Sequence, residues 1–120
     1  MLDYMQFHRA ILDHLNEGVL ATDAAGLVQY MNPVAERMTG WPLWEAVNRP
    51  LADILDQQGG WQGPPLPELL DSGDCILQHP CRYQARWGEI LERRVSASPL
   101  YQGSFRCGTV LVFHEASPSA

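Results

Sequence analysis

The sequence predicts an α+β domain, with a five-stranded antiparallel sheet, short helices on one face and a leading amphipathic helix. Two apolar runs flank Asp23–Gly26, a four-residue connection typical of a β-hairpin. Three further strand-like runs occupy the last third of the chain, and short segments with helix start and stop signals lie between. A chain of 120 residues with 46% hydrophobic and 18% charged residues suits one domain with a single modest core.

The sequence predicts an amphipathic helix in residues 1–17. Its apolar side chains recur at steps of three and four: Tyr4, Met5, His8, Ile11, Leu12 and Leu15. Because this helix precedes the sheet, its apolar stripe needs a surface elsewhere. We expect it to lie on the back of the sheet and to pair with a second chain, so these six residues form the predicted dimer interface.

The next segment predicts strand, turn, strand and short helix. Gly26 can adopt the positive φ that the turn needs. Asn32 can accept hydrogen bonds from the first free amides of a helix, and Pro33 has no amide to leave unpaired. Gly40 ends that helix.

The remaining elements are shorter helices followed by strands. Helices are expected at 42–47, at 50–55 and from 67 to 70, where Ser72-Gly73 ends the last one, with a loop at 56–67. Strands are expected at about 75–86, 89–98 and 106–115. The last strand is apolar on both alternating faces, which is typical of a central strand covered on both sides.

These residues resemble those of PAS domains, the sensory modules of bacterial signalling proteins. The resemblance extends over about residues 11–117, with the domain at 18–116 and a tail or linker start at 117–120. The matching segments are Gly18–Asp23, Gly26, Met31–Pro33, Ala35–Arg37, Thr39–Trp41, Arg49–Leu51, Arg86–Glu89, Val95–Leu100 and Gly108–Ala116.

The resemblance implies a regulatory input module of a multidomain protein. The fused output domain would be a histidine kinase or a cyclic-di-GMP synthase or phosphodiesterase. Binding of a small ligand or partner would change a homodimer, and Phe113 and Glu115, at the family's strand-to-linker ending, would pass the signal on. The alternative is a ligand-free dimerisation or docking module with a self-filled core.

A small-molecule pocket between sheet and helices is the first site hypothesis. Its candidate walls are Tyr30, Met38, Trp41, Leu55 and Leu70.

The tryptophans divide between core and surface in this interpretation. Trp41 and Trp44 are predicted to pack in the core. Trp87 occupies a hairpin tip and suggests an interaction surface.

The sequence does not identify a cofactor, and a domain without any cofactor is also consistent with it. Cys81-Arg82-Tyr83-Gln84 is similar to part of the flavin-adduct box of light-sensing PAS domains. That box belongs on the helix at residues 49–55, which has no cysteine, so Cys81 is interpreted as a strand residue. The family's haem histidine is absent from 64–73, which argues against haem. Cys75, His79 and Cys81 are too few for a closed zinc site, so no metal is expected.

Charge and motifs exclude other classes of function. The formal net charge is −6 with eight Lys plus Arg, which argues against nucleic acid or membrane contact. No run reaches a membrane span, no signal peptide is evident, and three cysteines suggest reduced thiols, so we expect a cytoplasmic protein. No catalytic motif occurs, and the chain is not expected to be an enzyme.

Overall fold

The computed structural model describes residues 17–71 and 75–115. The predicted N-terminal helix, with its six interface candidates, and the tail at 117–120 lie outside these residues. The elements in chain order are β1 (Gly18–Asp23), β2 (Val28–Met31), α1 (Pro33–Thr39), α2 (Leu43–Ala46), α3 (Leu51–Leu55), a 3-10 turn (Gln57–Gly59), α4 (Leu66–Asp71), β3 (Ile76–Gln84), β4 (Ile90–Gln102) and β5 (Phe105–Glu115).

The five strands form one antiparallel sheet in the order β2-β1-β5-β4-β3. The predicted fold class is therefore confirmed. β5 is the central strand, as its apolar pattern predicted. Leu111 and Phe113 are fully buried on one of its faces, whereas Val110 and Val112 are half-buried on the other.

The β1–β2 hairpin closes through backbone and side-chain hydrogen bonds of one aspartate. The Asp23 amide donates to the Leu27 carbonyl at 2.9 Å, and its carboxylate accepts from the Ala25 and Leu27 amides, each at 3.0 Å. Gly26 has a φ of +83°, the left-handed conformation that favours glycine. The turn chemistry predicted for this segment is confirmed.

Helix α1 begins and ends at the predicted residues. The Asn32 side chain accepts from the Ala35 amide, and Pro33 takes the first turn. At the other end Gly40 is left-handed, and its amide donates to the Glu36 carbonyl.

Two elements differ from the sequence-based expectation. α4 already begins at Leu66, and the expected loop before it contains the 3-10 turn. β4 runs on to Gln102 and pairs with β5 through a register irregularity after Leu100. The register irregularity in β3 lies beside Gln78, whose φ is +47°.

The core lies between the helices and one face of the sheet. Leu51, Ile54 and Leu55 of α3 are 1% exposed or less, and they belong to the same buried cluster as Leu20 of β1 and Leu111 of β5. Burial of such side chains stabilises a domain by about 1.5–3 kcal/mol each. The helices therefore cover the sheet face that a pocket would use.

Candidate functional site

Four of the five predicted wall residues belong to the core cluster or pack against it. Trp41 and Leu55 are buried members of the core cluster, and Met38 and Leu70 pack against it. Tyr30 does not join them. It pairs with Ala21 in the β1–β2 ladder, one residue from the buried Met31, so strand alternation places it on the other face of the sheet.

Trp41 is the most distinctive of these side chains. Trp41 is 7% exposed, and two guanidinium groups lie over its ring, with the Arg86 Cζ atom 4.2 Å and the Arg49 Cζ atom 5.2 Å from the ring centroid. Arg86 also forms an ion pair with Glu45. The indole Nε1 is buried and has no hydrogen-bond partner within the described ranges. A ligand with a hydrogen-bond acceptor could satisfy this donor.

Two aromatic side chains, Tyr83 and Phe113, belong to the same buried cluster as Trp41. Tyr83 is fully buried, and its ring meets Phe113 edge-on with centroids 6.0 Å apart. The Tyr83 hydroxyl donates to the Met38 carbonyl at 3.1 Å. Burial raises the pKa of Tyr83 to about 12, although the nearby Arg93 charge opposes the shift, so the hydroxyl stays protonated at neutral pH.

An open cleft of about 550 Å³ lies between the β1–β2 turn, α3 and α4. Leu51, Trp61, Leu66 and Leu70 contribute apolar walls, and the carboxylates of Asp56 and Asp71 belong to the residues that line the cleft. The Trp61 amide donates to the Asp56 carboxylate at 3.0 Å, and the Trp61 indole donates to the Pro64 carbonyl at 2.8 Å. Leu70 thus lines a cleft at the end of the helical layer.

The predicted output residues lie at the end of β5. Phe113 is buried under the helices, and Glu115 is the last residue of the strand. Between them lies His114, whose Nε2 atom shares a hydrogen bond of 2.8 Å with the Ser96 hydroxyl. Its other ring nitrogen, Nδ1, pairs with the Glu17 carboxylate. No sequence signal marks this contact, because Glu17 and His114 are 97 residues apart.

The cysteines occupy different environments. Cys81 is buried in β3, and burial raises the pKa of its thiol from 9.0 to about 12, against the lowering effect of Arg93. Cys75 and Cys107 are exposed. Among the described residues, no three His, Cys, Asp or Glu side chains are grouped as they would be around a metal ion.

The tryptophan predictions have mixed outcomes. Trp41 packs in the core, as expected. The prediction for Trp44 is wrong: its side chain is 76% exposed, because α2 is only four residues long and turns this position away from the sheet. Trp87 follows β3 in the β3–β4 turn and is 55% exposed.

The helices of the described part of the chain include none that has both the length and the apolar character needed to cross a membrane.

Comparisons with known proteins point to one family. A family model described as PAS fold matches residues 6–58. The probable diguanylate cyclase DgcE of Escherichia coli (strain K12) is 32% identical over 112 residues, a match that takes in 90% of this chain and 10% of that protein. This chain therefore spans about a tenth of the length of that relative.

Two crystal structures share the fold. The PAS domain of nitrogen regulation protein NR(II) from Vibrio parahaemolyticus superposes with a TM-score of 0.74 and 22% identity, covering 91% of this chain and 97% of that one. A domain of the sensory box sensor histidine kinase/response regulator from Geobacter sulfurreducens superposes with a TM-score of 0.72 and 20% identity, covering 92% of this chain and 93% of that one. Strand order, helix placement and the family match agree: the chain has the PAS fold that these domains of signalling proteins share.

Proposed function

We propose that this domain is the regulatory input module of a multidomain bacterial signalling protein. Its output partner would be a cyclic-di-GMP enzyme or a histidine kinase, and the domain itself would not be catalytic. The similarity to part of a probable diguanylate cyclase supports the first kind of output. One observation carries the proposal: the first and last strands of the sheet are neighbours, because β1 pairs with β5 from Gly18↔Phe113 to Asp23↔Gly108.

That pairing gives a route from the core to both ends of the domain. Phe113 contacts the aromatic interior, and the next residue, His114, pairs with Glu17 just before β1. A shift of β5 would therefore be felt at the entrance to β1 and at Glu115. In this proposal, the leading helix transmits it across a homodimer through Ile11, Leu15 and their predicted neighbours. Such a change is a shift between two packings of one domain.

The signal in this proposal is a small molecule bound near Trp41. The unpartnered indole N–H would donate to an acceptor on the ligand, while the aliphatic walls contact its apolar part. Met38, Leu55 and Leu70 remain proposed walls. Tyr30, on the other sheet face, would contact material packed on that face.

A second candidate is a ligand-free docking module. The tight packing of Tyr83, Phe113 and the α3 leucines favours it, because these side chains already fill the space between sheet and helices. The exposed Trp44 and Trp87 would then supply contact area for a protein partner.

An absorbance spectrum of the freshly purified chain, followed by mass spectrometry of a denatured extract, distinguishes the two. A stoichiometric small molecule whose retention falls in Trp41→Phe, which keeps the ring but removes the N–H, would support the sensor. A colourless, ligand-free and stable protein would refute it and leave the docking module.

The dimer has its own test. Charged residues at both Ile11 and Leu15 should halve the mass measured by light scattering, whereas Asp13→Lys, outside the predicted apolar stripe, should not. An unchanged mass in the double variant would refute a helix-mediated dimer.

A further inference from the structure

A second groove, the outer groove, lies across β3, β4 and the segment before α4. Gln62 and Arg82 exchange two backbone hydrogen bonds of 2.7 Å, so this segment extends the sheet beside β3. In the next ladder Arg82 is opposite Glu92, and Pro80 is opposite Arg94. The groove has a volume of about 590 Å³. It is comparable in size to small-molecule sites.

Strand alternation divides the lining of this groove between the two sheet faces, with Cys81 and Arg93 on the helix side. Cys81 and Tyr83 are buried toward the helices, so Pro80 and Arg82 point the other way. Glu92 and Arg94 share that outer face with them, since each is their register partner. These four side chains therefore lie on the sheet face opposite the interior around Trp41.

The side chains of the groove carry more positive than negative charge. Arg82 forms an ion pair with Glu92. Arg94 lines the groove too, and the ion pairs found among residues 17–71 and 75–115 do not include it. On β5 the register partner of Arg94 is His114, which forms an ion pair with Glu17.

This charge is unusual for the chain as a whole. All eight of its basic residues are arginines, against fourteen acidic residues, and three of the eight line this one groove. The third, Arg93, lies on the helix side, where its guanidinium donates to the Glu92 carbonyl at 3.0 Å. A guanidinium presents a planar fork of donors that matches the oxygens of a carboxylate or phosphate.

We propose that this outer groove binds a small oxyanion, a carboxylate or phosphate compound, with Arg94 as its principal ligand and Arg82 as the second. Glu92 holds Arg82 in place and lowers the net charge of the groove, so it limits the affinity. The Gln62 side chain shares the face of Arg82 through the bridge and adds a neutral hydrogen-bonding group.

Calorimetric titration of the purified chain at low salt tests this site with two probes, inorganic phosphate and citrate. Arg94→Gln should weaken binding of the favoured probe by about tenfold or more, the loss of one charge-assisted hydrogen-bonded contact. Arg37→Gln is the matched control, since it removes the same charge from the exposed face of α1. It should change the affinity less than about twofold, as expected for a distant, screened charge.

Glu92→Gln removes a negative charge from the groove instead of a positive one, so it should tighten binding of the favoured probe. Preference for one probe assigns the site to phosphate or to carboxylate compounds. Absence of heat with both probes, or equal weakening in Arg94→Gln and Arg37→Gln, would overturn the proposal. Because no core residue is changed, these outcomes are independent of whether the interior around Trp41 holds a ligand.

Discussion

Replacing Asn32 with alanine should destabilise the domain more than any exposed amide substitution. Asn32 is fully buried at the junction of β2 and α1. Its side-chain oxygen accepts from the Ala35 amide at 2.8 Å and from the Val19 amide at 3.0 Å. Its side-chain nitrogen donates to the Glu17 carbonyl at 2.9 Å. One side chain thus caps the helix and ties it to the start of β1.

The magnitude follows from these contacts. Loss of the helix cap costs about 1 kcal/mol. The Val19 amide is buried, and leaving such a donor without a partner costs about 1–3 kcal/mol. We therefore expect Asn32→Ala to lower the free energy of unfolding by about 2–4 kcal/mol, a large share of the roughly 5–15 kcal/mol typical of a domain.

Urea unfolding followed by tryptophan fluorescence measures this change. With an m-value of about 2 kcal/mol/M, the midpoint should fall by about 1–2 M. Gln29→Ala is the control. Gln29 donates to the Asn48 side chain at 2.9 Å, but on the exposed surface, so its removal should cost about 0.5 kcal/mol or less. A loss below about 1 kcal/mol for Asn32→Ala would show that the buried amide is paired with water or with relaxed backbone instead.

Three further predictions probe the sheet. Gly108→Ala would put a Cβ atom 1.9 Å from the Thr22 carbonyl oxygen, so it should lower the free energy of unfolding by several kcal/mol. Gly103→Ala is the control: the space around Gly103 is open and its φ is +63°, so this substitution should lower the free energy of unfolding by about 1 kcal/mol. Similar urea midpoints for the two variants would contradict this prediction. Because the pKa of Cys81 rises from 9.0 to about 12 on folding, the unfolded thiol loses its proton first, and stability should fall as pH rises above about 9. The fall in stability with pH should be shallower in Cys81→Ala, and an unchanged slope would refute the burial argument. In the native protein, a thiol reagent should modify the exposed Cys75 and Cys107 faster than Cys81, and equal rates would also refute it. His114→Ala should lower stability by only about 1 kcal/mol but speed amide hydrogen exchange at the start of β1, and unchanged exchange there would remove His114 from the proposed route.

The candidate site was predicted only in part. Met38, Trp41, Leu55 and Leu70 could be placed in or beside the core because apolar spacing within a helix, or a position directly after a helix stop, indicates the buried side. Tyr30 could not be placed, since Val28 and Met31 are both buried although they are three residues apart, and the register irregularity opposite them interrupts the alternation of faces along β2. The prediction that Trp44 is buried was wrong for a related reason: a four-residue helix has too few positions to define a buried stripe.

Local chemistry was determined by the sequence alone. The Asp23–Gly26 turn, the Asn32 cap and the Gly40 stop each depend on hydrogen bonds and backbone angles within a few residues, so their residue types are sufficient to predict them. The central position of β5 was also predictable, because only a strand covered on both sides tolerates apolar residues on both.

Only the tertiary structure decided which distant groups meet. The contact of Glu17 with His114 joins residues 97 positions apart. The outer groove needs a bridge from Gln62 to Arg82 and the exact pairing of Arg94 with Pro80. A one-residue change in register would move every such side chain to the other face. Register is set by the packing of the whole sheet against its helices, and no short stretch of the chain contains that information.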